Sequence, residues 1–122
     1  MKEKKSVAIV GAGLAGSEVA WQLAERGHAV QLFEMRPLRM SPAHKTSNFA
    51  ELVCSNSFKS RSKENAHGLL KSEMAEYKSI ILQTGERFSV PAGQALAVDR
   101  EQFAESVTTQ LKKHPLINFY NL

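Results

Sequence analysis

Apolar positions along this chain change their spacing in a way that marks out elements. Val7, Ile9 and Val10 form a short apolar run, suited to a buried parallel strand. Leu14 to Arg26 then follows a helical period, with Val19, Ala20, Leu23 and Ala24 available for its inner face, and Gly27 stands where a left-handed closing residue is wanted. His28 to Glu34 alternates through Val30, Leu32 and Phe33 and predicts a second strand. Residues 35–62, rich in Pro, Ser, Asn and bases, predict mostly loop. Helical spacing returns from Asn65 to Thr84, with Leu70, Met74, Tyr77 and Ile81 on one face as a core stripe. A Pro-Ala-Gly turn at 91–93 leads into a short apolar strand ending near Asp99. Asp99 caps the next helix, with Gln102 completing a box-like signature; Phe103, Val107 and Leu111 line its inner face and Pro115 stops it. The closing "LINFYNL" reads as the third strand of the sheet.

Between the first strand and the first helix stand Gly11, Gly13 and Gly16, with G-x-G-x-x-G spacing. Gly11 permits the tight turn off the strand, Gly13 lets a pyrophosphate approach the backbone, and Gly16 lets helix and strand pack closely. The helix start offers free N–H groups and the positive end of its dipole. Glu34, eighteen residues past Gly16, falls at the end of the second strand, where a carboxylate accepts bonds from a ribose diol. A carboxylate there repels a 2′-phosphate, so FAD or NAD is favoured over NADP. The strand–glycine turn–helix–strand–acid order predicts a dinucleotide-binding βαβ unit. The expected fold is therefore α/β and Rossmann-like, with parallel strands and a long helical and loop insertion before the third strand.

Composition narrows the classes further. The 122 residues are 43% hydrophobic and 23% charged, enough for one domain with a core. A single cysteine excludes an intramolecular disulfide, and no apolar run is long enough to span a bilayer. The N-terminal "MKEKKSVAIVGAG" is basic then apolar like a secretion signal, but its apolar run is too short and ends in the glycine turn, so a cytoplasmic protein is expected. The net charge of +4 is concentrated: Arg36, Arg39, Lys45, Lys59, Arg61 and Lys63 face one acid, Glu51, between positions 36 and 63. That cluster is either a solvated basic loop or a landing surface for phosphates of nucleic acid or an anionic cofactor. His28, His44, His67 and His114 have no metal-ligand spacing, and no Ser-His-Asp set is legible. Trp21 is expected to pack from the first helix.

Three longer segments carry a more specific signal: "VAIVGAGLAGSEVAWQLAERGHAVQLFEMRP", "SPAHKTSNFAELVCSNSFKS" and "VPAGQALAVDREQFAESV". Together they closely resemble the bacterial folate- and FAD-dependent tRNA (uracil-5-)-methyltransferase family, over essentially the whole chain. The "EMRP" and "FAELVCSNS" segments are more specific than the glycine fingerprint, and the flavoproteins that modify the tRNA wobble uridine lack them as written here. The resemblance implies methylation of a T-loop uridine of tRNA at C5, with carbon from 5,10-methylenetetrahydrofolate and electrons from NAD(P)H through FAD. It implies that Gly11, Ala12, Gly13, Leu14, Ala15 and Gly16 cradle the FAD pyrophosphate and that Glu34 holds the adenosine ribose, with Arg36 also among the cofactor-binding residues. Cys54 matches the cysteine that this family sets close to the flavin ring and is the catalytic candidate, which would account for a lone thiol among Ser55, Asn56 and Ser57. Gln94 departs from the family's "VPAGGALAVD", where a second glycine is usual.

The family's chains are several times longer, so residues 1–122 are expected to be the N-terminal portion of an FAD/NAD(P)-binding domain. Three parallel strands with their helices cannot cover both sheet faces, so an incomplete domain with an open edge, inactive alone, is expected, with self-association or exchange with a partner as the two ways to compensate. Three other readings share the glycine motif: the dinucleotide-binding domain of another oxidoreductase, that of the flavoprotein that modifies the tRNA wobble uridine, and a non-catalytic remnant.

Overall fold

The computed structural model describes residues 5–122; the basic run Met1–Lys4, part of the signal-like pattern weighed above, lies outside the described residues. The first apolar run forms strand β1 (Ser6–Val10), followed by helix α1 (Leu14–Glu25) and strand β2 (Ala29–Glu34). Arg26 ends α1, and Gly27 turns the chain with φ +87, its N–H donating to the Ala24 carbonyl. β2 buries Val30, Leu32 and Glu34 on one face and leaves Ala29, Gln31 and Phe33 half-buried on the other. The last strand, β6 (Ile117–Asn121), pairs in parallel with β2 from Val30↔Ile117 to Glu34↔Asn121, and β1 pairs with β2's other side from Ser6↔Ala29 to Val10↔Phe33. The sheet order β1-β2-β6 is that expected of a βαβ unit continued by a third strand.

Helices α1 and α4 (Arg100–Lys113) pack on one face of this sheet. Ala20, Ala24, Val30, Leu32, Phe103, Val107, Leu111 and Ile117 form the core there, while Val19, expected on the inner face, faces outward. Asp99 caps α4 by accepting the Gln102 N–H, as its position predicts. The opposite sheet face is uncovered among the described residues. Val10, Phe33 and Tyr120 lie in register across it; the two rings stack at 5.3 Å and Val10 is 87% exposed.

The insertion is more ordered than its composition suggests. Strands β3 (Ser57–Ser60), β4 (Ser89–Val90) and β5 (Ala95–Val98) form a small antiparallel sheet of order β3-β5-β4, so only part of the stretch expected to be loop is loop. Lys59, with φ +68, marks the irregularity where β3 shifts register against β5. Gly93 (φ +63) makes the β4–β5 turn. Gln94 sits exposed beside it without a left-handed φ, its carbonyl accepting the Arg61 N–H at 2.8 Å, so the departure at this position strains nothing.

The single helix expected over 65–84 is two. Helix α2 (Ala66–Glu76), capped by Asn65, ends at Tyr77; Lys78 adopts φ +54, and Ser79 caps helix α3 (Ile80–Arg87). Glu18 of α1 sets this break, accepting the Ser79 hydroxyl and the Ile80 N–H. The supposed core stripe divides accordingly. Ile81 is buried and Met74 half-buried, but Leu70 and Tyr77 point to solvent at 56% and 65% exposure.

Candidate functional site

The glycine turn meets the ends of β2 and β6 at the C-terminal edge of the parallel sheet. Gly11 leaves β1 with φ +99 and donates its N–H to the Phe33 carbonyl at 2.7 Å, a conformation few other residues adopt. At Gly16 a Cβ would lie 1.8 Å from the Gly11 carbonyl oxygen, so that glycine permits the helix to touch the turn. Gly13, the N-cap residue, has an ordinary φ of −75, and a Cβ there would meet nothing within 4 Å. Neither backbone strain nor a protein neighbour explains a glycine at 13. The open space beside it fits the close approach of a phosphate. The first amides of α1, at Leu14, Ala15 and Gly16, lack intrahelical partners, as at any helix start, and are free to donate to an anion.

Ala12 behaves differently from the cradle residue expected at this position. It is fully buried; its N–H donates to Glu34 Oε1 at 3.0 Å, and its carbonyl accepts the Ser17 hydroxyl and the Ala50 N–H. Its polar groups are committed within the protein, so it shapes the turn and leaves any phosphate to its neighbours.

Glu34 and Arg36 are both buried, at 6% and 2% exposure. Glu34 Oε2 accepts the Arg36 N–H at 3.1 Å and its Nε at 2.5 Å. With Oε1 taken by Ala12, three of about four lone-pair positions are occupied, which leaves room for roughly one further bond to a ribose hydroxyl. Burial alone would push the Glu34 carboxyl up. The Ala12 N–H and the Arg36 guanidinium outweigh it and hold the group below the usual carboxylate range. Arg36 continues to a second acid: its Nη1 donates to Glu51 Oε2 at 3.0 Å and to the Thr46 carbonyl at 3.1 Å. The Arg36–Pro37 bond is cis, and Asn121 at the end of β6 donates to the Glu34 and Arg36 carbonyls.

This arrangement corrects the reading of the basic segment. Arg36 is not part of a solvent-facing surface, because two carboxylates enclose it. Arg61 is also paired, bidentate to Glu86 at 3.0 and 3.2 Å. Arg39, Lys45, Lys59 and Lys63 remain exposed as the accessible positive charge. Glu51 is the residue that composition undervalued: among so many bases it reads as a stray acid, yet its carboxylate also accepts the Lys45 and Thr46 N–H groups. Its position directly after Phe49-Ala50 within "FAELVCSNS" was the available signal.

Cys54 lies in the connection between β2 and β3, three residues beyond Glu51, and is exposed. Ala50 (φ +55) ties that connection to the glycine turn through its bond to the Ala12 carbonyl, and Phe49 ties it to α4 by donating its N–H to the Thr108 hydroxyl at 2.8 Å. The start of the segment that carries the thiol is therefore anchored to the glycine turn and to α4. Two of the histidines have local roles: Ser41 pairs with His44, while His114 meets Trp21 edge-on and approaches Glu25 at 3.5 Å. Trp21 packs there as expected.

A family model described as glucose inhibited division protein A matches residues 6–121. The chain belongs to that family. Among individual relatives it is 59% identical over 117 residues to the methylenetetrahydrofolate--tRNA-(uracil-5-)-methyltransferase TrmFO of Prochlorococcus marinus strain NATL1A, covering 96% of this chain and 25% of that one. The protein of the same name from Streptococcus pyogenes serotype M12 is 61% identical over 110 residues, with 90% and 25% covered. That from Enterococcus faecalis is 56% identical over 117 residues, with 96% and 27% covered. The chain thus spans about a quarter of the length of the curated relatives it matches. The resemblance read from "EMRP" and "FAELVCSNS" is borne out, and with it the mixed α/β class and the parallel sheet. A GidA-related protein from Thermus thermophilus superimposes with a TM-score of 0.49 at 18% identity, covering 98% of this chain and 39% of that one. Among the described residues no helix is long and apolar enough to cross a membrane.

Proposed function

We propose that these residues form the N-terminal part of the FAD-binding domain of a folate-dependent tRNA (uracil-5-)-methyltransferase, contributing its ADP-binding half-site. One observation carries the reading: Gly13 opens onto empty space at the start of α1 while Glu34 closes the end of the adjacent strand. That geometry suits a pyrophosphate at Leu14, Ala15 and Gly16, with the adenosine ribose reaching Glu34. The names of the relatives supply the larger activity, uridine methylation in tRNA, and we assign the protein to the cytoplasm on that reading. Bound FAD would supply the redox chemistry, with NAD(P)H and methylenetetrahydrofolate as co-substrates.

In this reading Gly11 and Gly16 shape the turn, the α1 amides bind phosphate, and Glu34 orients the ribose. Cys54, exposed on a segment anchored to the same turn, is the residue assigned to chemistry near the flavin. Arg39, Lys45, Lys59 and Lys63 supply positive charge for approach of tRNA or folate. The uncovered face with Val10, Phe33 and Tyr120 is the surface for self-association, or for the remainder of the fold.

The test is the visible absorption spectrum of the chain after incubation with FAD and gel filtration. Flavin absorbance that stays with the protein, and is lost in Gly13→Leu without loss of folding, is the expected result. NAD binding without FAD retention would replace this reading by that of a nicotinamide-dinucleotide domain, and indifference to both would overturn the half-site.

A further inference from the structure

Arg36 stands two residues beyond Glu34, at the strand end where a dinucleotide's adenosine ribose docks, and a base near that point is what accommodates a ribose 2′-phosphate in NADP-binding proteins. Here the base is already engaged. Glu34 holds its Nε at 2.5 Å, while Glu51 at 3.0 Å and the Thr46 carbonyl at 3.1 Å hold its Nη1. Glu51 is itself fixed, because its Oε1 accepts the N–H groups of Lys45 at 3.1 Å and Thr46 at 3.0 Å. The backbone beside it is tied to the glycine turn through the Ala50–Ala12 bond at 2.9 Å. Two carboxylates and one guanidinium leave this cluster with a net charge of −1.

We propose that Glu51 is a specificity-determining residue of the dinucleotide half-site: by holding Arg36 it withholds the base at the end of β2 from a ribose 2′-phosphate, and so selects dinucleotides that lack one. The inference rests on the ADP-binding reading above. Glu34 alone would repel a 2′-phosphate, but Arg36 neutralises that repulsion, and it is the charge on Glu51 that restores it. Glu51 is a positioning residue in this scheme, since it acts through Arg36.

The variant Glu51→Gln keeps an oxygen for the Lys45 and Thr46 amides, removes the charge and loosens Nη1. The experiment is calorimetric titration of the chain and of this variant with ADP-ribose and with its 2′-phosphate, at one ionic strength. A unit charge removed beside a phosphate in a partly buried site is worth roughly a five- to tenfold change in relative affinity. E51Q is expected to raise the ratio of 2′-phosphate to ADP-ribose affinity by that factor, and Arg36→Gln to lower it. A purely structural lesion weakens both ligands together and leaves the ratio alone, so an unchanged ratio in folded E51Q overturns the inference. The unaltered chain gives a second check: its preference for ADP-ribose should narrow as salt screens the cluster, and a preference indifferent to salt also overturns it. Failure of the unaltered chain to bind ADP-ribose at all would sink the half-site reading itself, and this inference with it.

Discussion

Replacing Gly16 by Ala adds one methyl group at the tightest contact in the glycine turn. Its Cβ would lie 1.8 Å from the Gly11 carbonyl oxygen and 2.9 Å from the carbonyl carbon. Carbon and carbonyl oxygen settle at about 3.3 Å, so α1 and the turn must part by roughly 1.5 Å. Both sides are backbone, so no rotamer change relieves the overlap. Separation also loosens Ser17, Ala20 and Ala24, which α1 buries towards the sheet; a gap of even 0.5–1 Å forfeits roughly a quarter to a half of each contact's attraction. Overpacking costs typically about 1–3 kcal/mol, and this backbone clash belongs at the upper end, near 3 kcal/mol. For a domain of this size that is a large share of a total stability of roughly 6–18 kcal/mol and lowers Tm by about 10–15 °C. Gly13→Ala is the matched control: the same methyl group meets nothing within 4 Å at an ordinary φ, and costs only about the 0.5 kcal/mol by which alanine is the poorer N-cap. Urea denaturation followed by circular dichroism measures both. Equal destabilisation by the two variants, or a neutral Gly16→Ala, would refute the account of what each glycine does.

Two further predictions concern Glu34 and the break between α2 and α3. The Glu34 carboxyl is held below its ordinary range, so it binds protons more readily in the unfolded chain than in the folded one; it adds stability at neutral pH, and that contribution is lost as pH falls through the folded-state pKa. Glu34→Gln should therefore cost about 3 kcal/mol at pH 7, by leaving Arg36 short of a partner, and should flatten the acid limb of the stability–pH curve; a variant whose acid limb keeps the original slope would contradict this. Ser79→Ala removes the α3 cap and the hydroxyl that meets Glu18, and should cost about 1–2 kcal/mol, whereas Lys78→Gly should add about 0.5–1 kcal/mol by relieving φ +54; hydrogen exchange at Leu82 reports both, and faster exchange in Lys78→Gly would count against the break as described.

The βαβ unit was legible because each of its signals is local. Hydrophobic spacing, a glycine after the helix and glycines before it act within a few residues, and they place β1, α1 and β2 within about a residue of where they stand. The Asp99 cap and the third strand were legible for the same reason. The break at residues 77–79 was not, because it depends on Glu18, sixty-one residues before Ser79. Of the small antiparallel sheet only β5 was legible, as the short apolar strand before Asp99; β3 and β4 are short, and β3 meets its partner only across the intervening helices.

The site divides along the same line. Residue type and spacing suffice to show that a dinucleotide-type turn exists, that Glu34 ends its second strand, and which family the cysteine segment resembles. How the charges are used follows from the packing of distant segments. That packing committed the Ala12 amide to Glu34, buried Arg36 between Glu34 and Glu51, and paired Arg61 with Glu86. A buried charge such as Arg36 must find its partner wherever the fold brings one, here fifteen residues away at Glu51, and the exposed Arg61 meets Glu86 twenty-five residues away for the same topological reason. Net charge along the chain counts such residues as free, and folding removes them from that count.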